Sequence, residues 1–267
     1  MKSQTIFLRL GATAISVLVL AGCASSGKDP SADWPADKLY SEARSEISAA
    51  NYEKAVPLLE RLEGRAAGSV LAQQAQLEKA YAQYRDGERA QAIATLDRFM
   101  MLHPTSPAMD YALYLKGIIN FNDNLGLFAW LSRRDLSERD QKAAKESFES
   151  FKQLVERFPD SKYAPDAHQR MVYIVNSLAA YEVHVARYYY SRGAYVAAIN
   201  RAQLALQDYK DAPALPEALE ILERSYDALG MTELRDDTRR IMAASFPEGQ
   251  SPQASAGSRS SWWRFWD

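Results

Sequence analysis

Cys23 is where residue type and spacing most plainly specify a covalent reaction in this 267-residue chain. Leu20-Ala21-Gly22-Cys23 closes an apolar stretch that runs from Leu10 to Leu20 and follows two cations, Lys2 and Arg9. Small side chains at Ala21 and Gly22 let a peptidase reach the backbone, and the Cys23 thiol is a nucleophile that accepts a diacylglyceryl group. The apolar stretch is too short to span a bilayer, so it reads as a signal segment. The alternative is an ordinary secretory signal with an incidental cysteine. Cys23 is the only cysteine, which rules out an internal disulfide, and a lone thiol in an oxidising compartment makes most sense capped by lipid. The pattern predicts a signal peptide over residues 1–22, lipidation at Cys23 and a flexible tether to residue 34. Two or more acyl chains anchor a protein stably. Ala24 follows the anchor where enterobacterial sorting uses Asp to retain lipoproteins at the inner membrane, so transfer to the outer membrane, facing the periplasm, is expected.

Other reactive constellations are sparse. Of three histidines, His103 stands beside Pro104, and His168 and His184 are sixteen residues apart, which is not the i, i+4 spacing of a helical zinc pair. No phosphate-binding loop, dinucleotide fingerprint or nucleophile elbow occurs. Carboxylates interleave with Lys and Arg as on solvated helix faces. The expectation is a non-enzymatic protein with no cofactor and no metal. Removing residues 1–22 takes away Lys2 and Arg9 and moves the net charge from −2 to −4, which is no nucleic-acid footprint.

The elements that must carry any binding surface show themselves through an internal repeat. Asn51-Tyr52-Glu53-Lys54-Ala55-Val56, Glu88-Arg89-Ala90-Gln91-Ala92-Ile93 and Gly193-Ala194-Tyr195-Val196-Ala197-Ala198-Ile199 open equivalent helices. Ala55 to Ala92, Ala43 to Ala80, and Ala80 to Gly117 are each 37 residues. Small residues at fixed phase let paired helices approach closely, and Pro104, Pro159, Pro213 and Pro247 punctuate the repeat ends. The pattern predicts an all-α, TPR-like solenoid over residues 35–247, with helix-turn-helix repeats at about 35–64, 69–103, 106–158, 162–210 and 213–247. The third carries an insertion from Asn122 to Asp140, and the fourth opens with a helix about 40 Å long.

In such an array the first helix of each repeat lines the concave face. Phasing on Ala43, Ala80 and Gly117 places Tyr40, Arg44, Gln74, Tyr81, Tyr111 and Tyr114 in one candidate groove for an extended peptide. Tyr supplies rigid apolar area with a hydroxyl, and Arg grips carboxylates. Some of these tyrosines equally fit an inter-repeat core. Within the insertion, Leu125–Leu131 is apolar and reads as a plug, while Ser132–Asp140 is charged and reads as a wet surface for a partner. Beyond residue 247 the composition is that of a disordered tail, ending Trp262-Trp263-Arg264-Phe265-Trp266-Asp267. These aromatics suit a membrane interface, a partner groove, or a short extension folded back on the last repeat.

Three segments together resemble the BamD family, also called ComL or YfiO. They are His103-Pro104-Thr105-Ser106-Pro107 running into Asp110–Gly117, the insertion ending Glu138-Arg139-Asp140, and Tyr189-Tyr190-Ser191-Arg192-Gly193-Ala194-Tyr195 continuing to Asn200-Arg201. The resemblance implies a scaffold of the BAM complex, which inserts β-barrel proteins into the outer membrane. It implies N-terminal repeats that receive targeting segments of unfolded barrel proteins, and C-terminal repeats that hold a POTRA domain of BamA. BamC- and BamE-type lipoproteins join where a species has them. Arg139, Asp140, Arg192, Asn200 and above all Arg201 become candidate partner contacts. Gly64–Ser69 departs from the family's aromatic-Pro segment between the first two repeats, so no role transfers from that loop. The competing readings are a TPR lipoprotein of pilotin or cell-division type, which would lack the Tyr189–Arg201 motif, and a peptidoglycan-acting protein.

Overall fold

The computed structural model describes residues 30–121 and 138–246, with α6 side chains from Gln141 onward. Cys23, the insertion up to Ser137 and the aromatic tail lie outside the described residues. Ten α-helices and no strand occur among them, in five consecutive hairpins. They are α1 Ala36–Ser48 and α2 Tyr52–Arg65, α3 Val70–Arg85 and α4 Arg89–Leu102, α5 Met109–Asn120 and α6 Glu138–Arg157, α7 Ala164–Ser191 and α8 Tyr195–Asp208, and α9 Leu215–Ala228 and α10 Thr232–Ser245. The all-α, TPR-like organisation is as the repeat spacing predicts, including the 28-residue first helix of the fourth repeat. None of the described helices is long and apolar enough to cross a membrane.

The residues form two compact units that meet between Ala75 and Gln76, inside α3. In the first, α1 packs on α2 through fully buried Leu39 and Ala43 against Ala55, Leu59 and Leu62. A short 3-10 turn, Pro30–Asp33, precedes α1. The Arg65 guanidinium donates at 2.8 Å to the carbonyls of both Ala32 and Trp34, and the Lys38 ammonium sits 4.0 Å above the Trp34 ring. The chain is therefore seated on α2 from Pro30 onward. Gly68 turns at φ 79°, and the Ser69 hydroxyl accepts the Ala72 N–H, capping α3. Gly64 and Arg65 thus close α2, and Ala66–Ser69 form the capped turn.

In the second unit successive helices pack on one another from α4 to α10, and α9 also reaches α7. One cluster joins Leu77 and Ala80 of α3, Leu96 and Phe99 of α4, and Leu115 and Ile119 of α5. A larger one centres on Phe151, Leu154, Met171, Ile174 and Leu178 and extends through α8 to Leu219 and Leu222 of α9. The shared small positions behave as their phase predicts: Ala43 and Ala80 are fully buried, and a Cβ on Gly117 would lie 2.4 Å from the Phe151 ring. Absence of that Cβ lets α5 and α6 close until the Ser147 hydroxyl donates to the Gly117 carbonyl at 2.8 Å.

The turns inside the hairpins share one geometry. Gly87, Gly193 and Gly230 adopt positive φ, and the next N–H bonds back to a carbonyl five residues earlier: Glu88 to Gln83, Ala194 to Tyr189, Met231 to Tyr226. The α1–α2 turn does the same, Asn51 to Glu46, yet places Ala50 at φ 59°. Pro165 and Pro216 stand in the first turns of α7 and α9, where a missing N–H costs nothing.

Candidate peptide-binding site

Three first helices of the second unit, α3, α5 and α7, bring aromatic side chains to one surface. The Tyr114 and Tyr163 rings stack at 4.6 Å between centroids, and Tyr111 meets Tyr163 at 5.7 Å. Tyr81 and Tyr84 pack, half-buried, beside the cluster that Tyr111 flanks. Burial is the main force that pushes the Tyr111 hydroxyl up to about 12, with Tyr163, Tyr81 and Glu78 adding to it. The shelf continues through Phe121, whose ring lies 5.6 Å from Tyr173.

A charged pair is set into this shelf. One Asp166 carboxylate oxygen accepts both the Tyr114 hydroxyl, at 2.8 Å, and the Arg170 Nε–H, at 2.6 Å. Burial and the bond to Asp166 raise the Tyr114 pKa, so the phenol stays protonated and donating. The Arg170 guanidinium lies 4.6 Å over the Phe121 ring. Asp110 fixes the loop before α7 by accepting the Ser161 hydroxyl at 2.6 Å. Flat aromatic area interrupted by an Arg–Asp pair suits an extended peptide: rings take apolar side chains, and the polar groups orient its backbone or a carboxylate. A separate cleft of about 800 Å³, whose lining includes Met100, Leu113, Phe148 and Ile174, shares no residue with the shelf.

Of the six groove residues expected from phasing, Tyr81, Tyr111 and Tyr114 belong to the second unit and stand on or beside this shelf. Tyr40, Arg44 and Gln74 belong to the first: the Gln74 side-chain amide donates to the Tyr40 hydroxyl, and Arg44 is exposed one turn along α1 from Tyr40. Phasing missed Tyr163, Asp166, Arg170 and Tyr173, because the third repeat is longer than 37 residues and the count breaks at its insertion. A local signal survives the break. Pro104-Thr105-Ser106 and Pro159-Asp160-Ser161 introduce α5 and α7 alike, and each serine hydroxyl accepts the N–H two residues on. Registering on those serines places Asp166 opposite Tyr111.

The Tyr189–Arg201 motif forms the end of α7, a glycine turn and the start of α8. Tyr188 is exposed beneath the Arg192 guanidinium, 5.3 Å from its ring, and Asn200 is exposed on α8. Arg201 Nη1 donates at 3.1 Å to Glu182, whose side chain is only 4% exposed, while 41% of the Arg201 side chain still meets solvent. Arg187 forks onto both oxygens of Glu217, at 2.5 and 2.8 Å, tying α7 to α9. Arg139 and Asp140 fall in the first turn of α6, where side chains lie outside the described residues. His103 rests 5.3 Å from the Phe99 ring.

Residues 32–241, all but the ends of the described helices, match the YfiO family, described as an outer membrane lipoprotein. The chain belongs to that family. Relatives named outer membrane protein assembly factor BamD share 46% identity in Neisseria meningitidis serogroup B, over 93% of this chain and 96% of the relative, and 43% in Neisseria gonorrhoeae, over the whole of both. A Vibrio cholerae relative of the same name is 36% identical over 91% of this chain and 98% of its own. The YfiO match takes in parts of both units, and the aromatic shelf and the α7–α8 turn both lie within the family's shared region.

Proposed function

We propose that this outer membrane lipoprotein is an assembly factor for outer-membrane β-barrel proteins, acting as a scaffold within the BAM complex. The near-complete correspondence with BamD relatives carries the reading. The Tyr111–Tyr163–Tyr114 shelf, with Asp166 and Arg170, supports capture of an extended segment of an unfolded barrel protein. Tyr40, Arg44 and Gln74 supply a second set of contacts of the same kind. The exposed Arg192, Asn200 and half-exposed Arg201 form the face for a POTRA domain of BamA, and Arg139 and Asp140 contribute to accessory contacts with BamC- or BamE-type lipoproteins.

The test is affinity capture of BamA's POTRA region by the full chain. Arg201→Glu is a poor control, because it would set a second carboxylate against buried Glu182. The informative variant pairs Glu182→Gln with Arg201→Gln, which removes the charge of Arg201 without orphaning an acid. The wild type is expected to retain the POTRA region and the pair to lose most of it. No retention by the wild type overturns the scaffold reading, and full retention by the pair removes only the role of Arg201. For the shelf, Tyr114→Ala is expected to weaken binding of a barrel-derived peptide, read by fluorescence anisotropy, without changing POTRA capture.

A further inference from the structure

Nine large apolar side chains are exposed among the described residues, and four of them fall within thirteen consecutive positions at the end of the fold: Leu229 at 41%, Met231 at 43%, Leu234 at 40% and Ile241 at 54%. Leu234 and Ile241 are seven residues apart on α10 and so share one face of it. α10 packs on α9 through Thr238, Met242 and Phe246, and Leu234 and Ile241 stand at the edge of that packed side, where they remain partly exposed. In a stack of helical repeats the next first helix would cover the outer flank, and terminal repeats are stable when something caps them.

We infer that the aromatic segment Trp262–Trp266 of this same chain docks on the Leu234–Ile241 face and caps the last repeat. The length of chain beyond α10 fits this occupant. Residues 247–261 contain no large apolar side chain and act as a spacer. Fifteen residues of chain reach at most about 50 Å, and the fourteen residues of α10 measure about 21 Å. A spacer leaving the C-terminal end of α10 therefore returns its aromatic end alongside Leu234 and Ile241 without being stretched. Intramolecular docking also starts from a millimolar-range effective concentration, so modest contacts suffice.

Hydrogen exchange along α10 tests the cap in the mature chain carrying Cys23→Ser, which needs neither detergent nor membrane. That chain is compared with one that also carries Trp262→Ser, Trp263→Ser, Phe265→Ser and Trp266→Ser, changes that touch no described residue. Exchange over α10 is expected to be several-fold slower with the aromatics present, independent of protein concentration and of added lipid vesicles. Ile241→Glu with an intact tail is expected to match the fast exchange and to make the tryptophans more accessible to acrylamide. Equal α10 exchange with and without the aromatics overturns the inference. Protection that disappears on dilution assigns the face to a second copy, and protection that appears only with phosphatidylethanolamine–phosphatidylglycerol vesicles assigns the aromatics to the membrane; either result overturns the cap.

Discussion

The Glu182 side chain is almost fully buried and Arg201 is held against it at 3.1 Å, so removing Arg201 would leave a buried carboxylate without its ion-pair partner. Arg201 thus has a structural duty in addition to any contact it makes with a partner. Arg201→Ala is expected to cost about 2 kcal/mol in urea unfolding, less than the 3–5 of a fully buried pair because its own side chain is half wet. Adding Glu182→Gln should restore much of that loss, and no restoration would mean that the pair is energetically silent. Tyr111 makes a separate prediction. Its pKa is about 12 against 10.0 for an exposed tyrosine, so the folded state holds the phenolic proton more tightly than the unfolded chain does. This stabilisation is complete below pH 10 and is lost as pH rises towards 12. Stability should fall across that window in the wild type and fall less in Tyr111→Phe, with tyrosinate absorbance following the same change. At this scale the sequence was partly legible. Arg201 stood out in a specific motif, but its partner lies nineteen residues earlier on a long helix, and nothing local distinguishes one buried acid there from the exposed charges around it.

At the scale of elements, the hairpin turns yield a sharper prediction than the helices do. Three of the four described turns inside hairpins place glycine at positive φ, and the first places Ala50 there at φ 59°. A left-handed conformation costs a residue with a Cβ about 1–2 kcal/mol, from which glycine's greater unfolded entropy subtracts part. Ala50→Gly is therefore expected to stabilise the chain by about 1 kcal/mol in urea unfolding. A loss of stability would show that the turn is not held in this conformation. The hairpins themselves were legible because close packing demands a small residue at one phase of each first helix, and Ala43, Ala80 and Gly117 keep that phase 37 residues apart. The aromatic shelf was legible only up to the insertion. Tyr111 and Tyr114 share the register of the earlier repeats, whereas Asp166 and Arg170 follow a repeat of different length. Their place is set by three-dimensional stacking on α5, which a fixed sequence period cannot express.

For the whole molecule, the predicted lipidation at Cys23 makes the length of chain between that residue and the fold decisive. A tether free as far as residue 34 would let the first helix stand about 40 Å from the bilayer. Arg65 instead seats the chain on α2 from Pro30, so the free covalent path from Cys23 spans at most about 25 Å. With a lipid on Cys23, a leash of that length would hold the first unit close to the membrane surface. Arg192 and Arg201 find their own contacts, Tyr188 and Glu182, within α7, α8 and the turn between them. Localisation and partner binding should therefore separate. Cys23→Ser is expected to remove the protein from the outer-membrane fraction, because the thiol that accepts the diacylglyceryl group is gone. The same variant should still capture the POTRA region as well as the wild type does. Loss of capture together with loss of the membrane would require the lipid to order the binding face itself, and the leash would then have to transmit more than position.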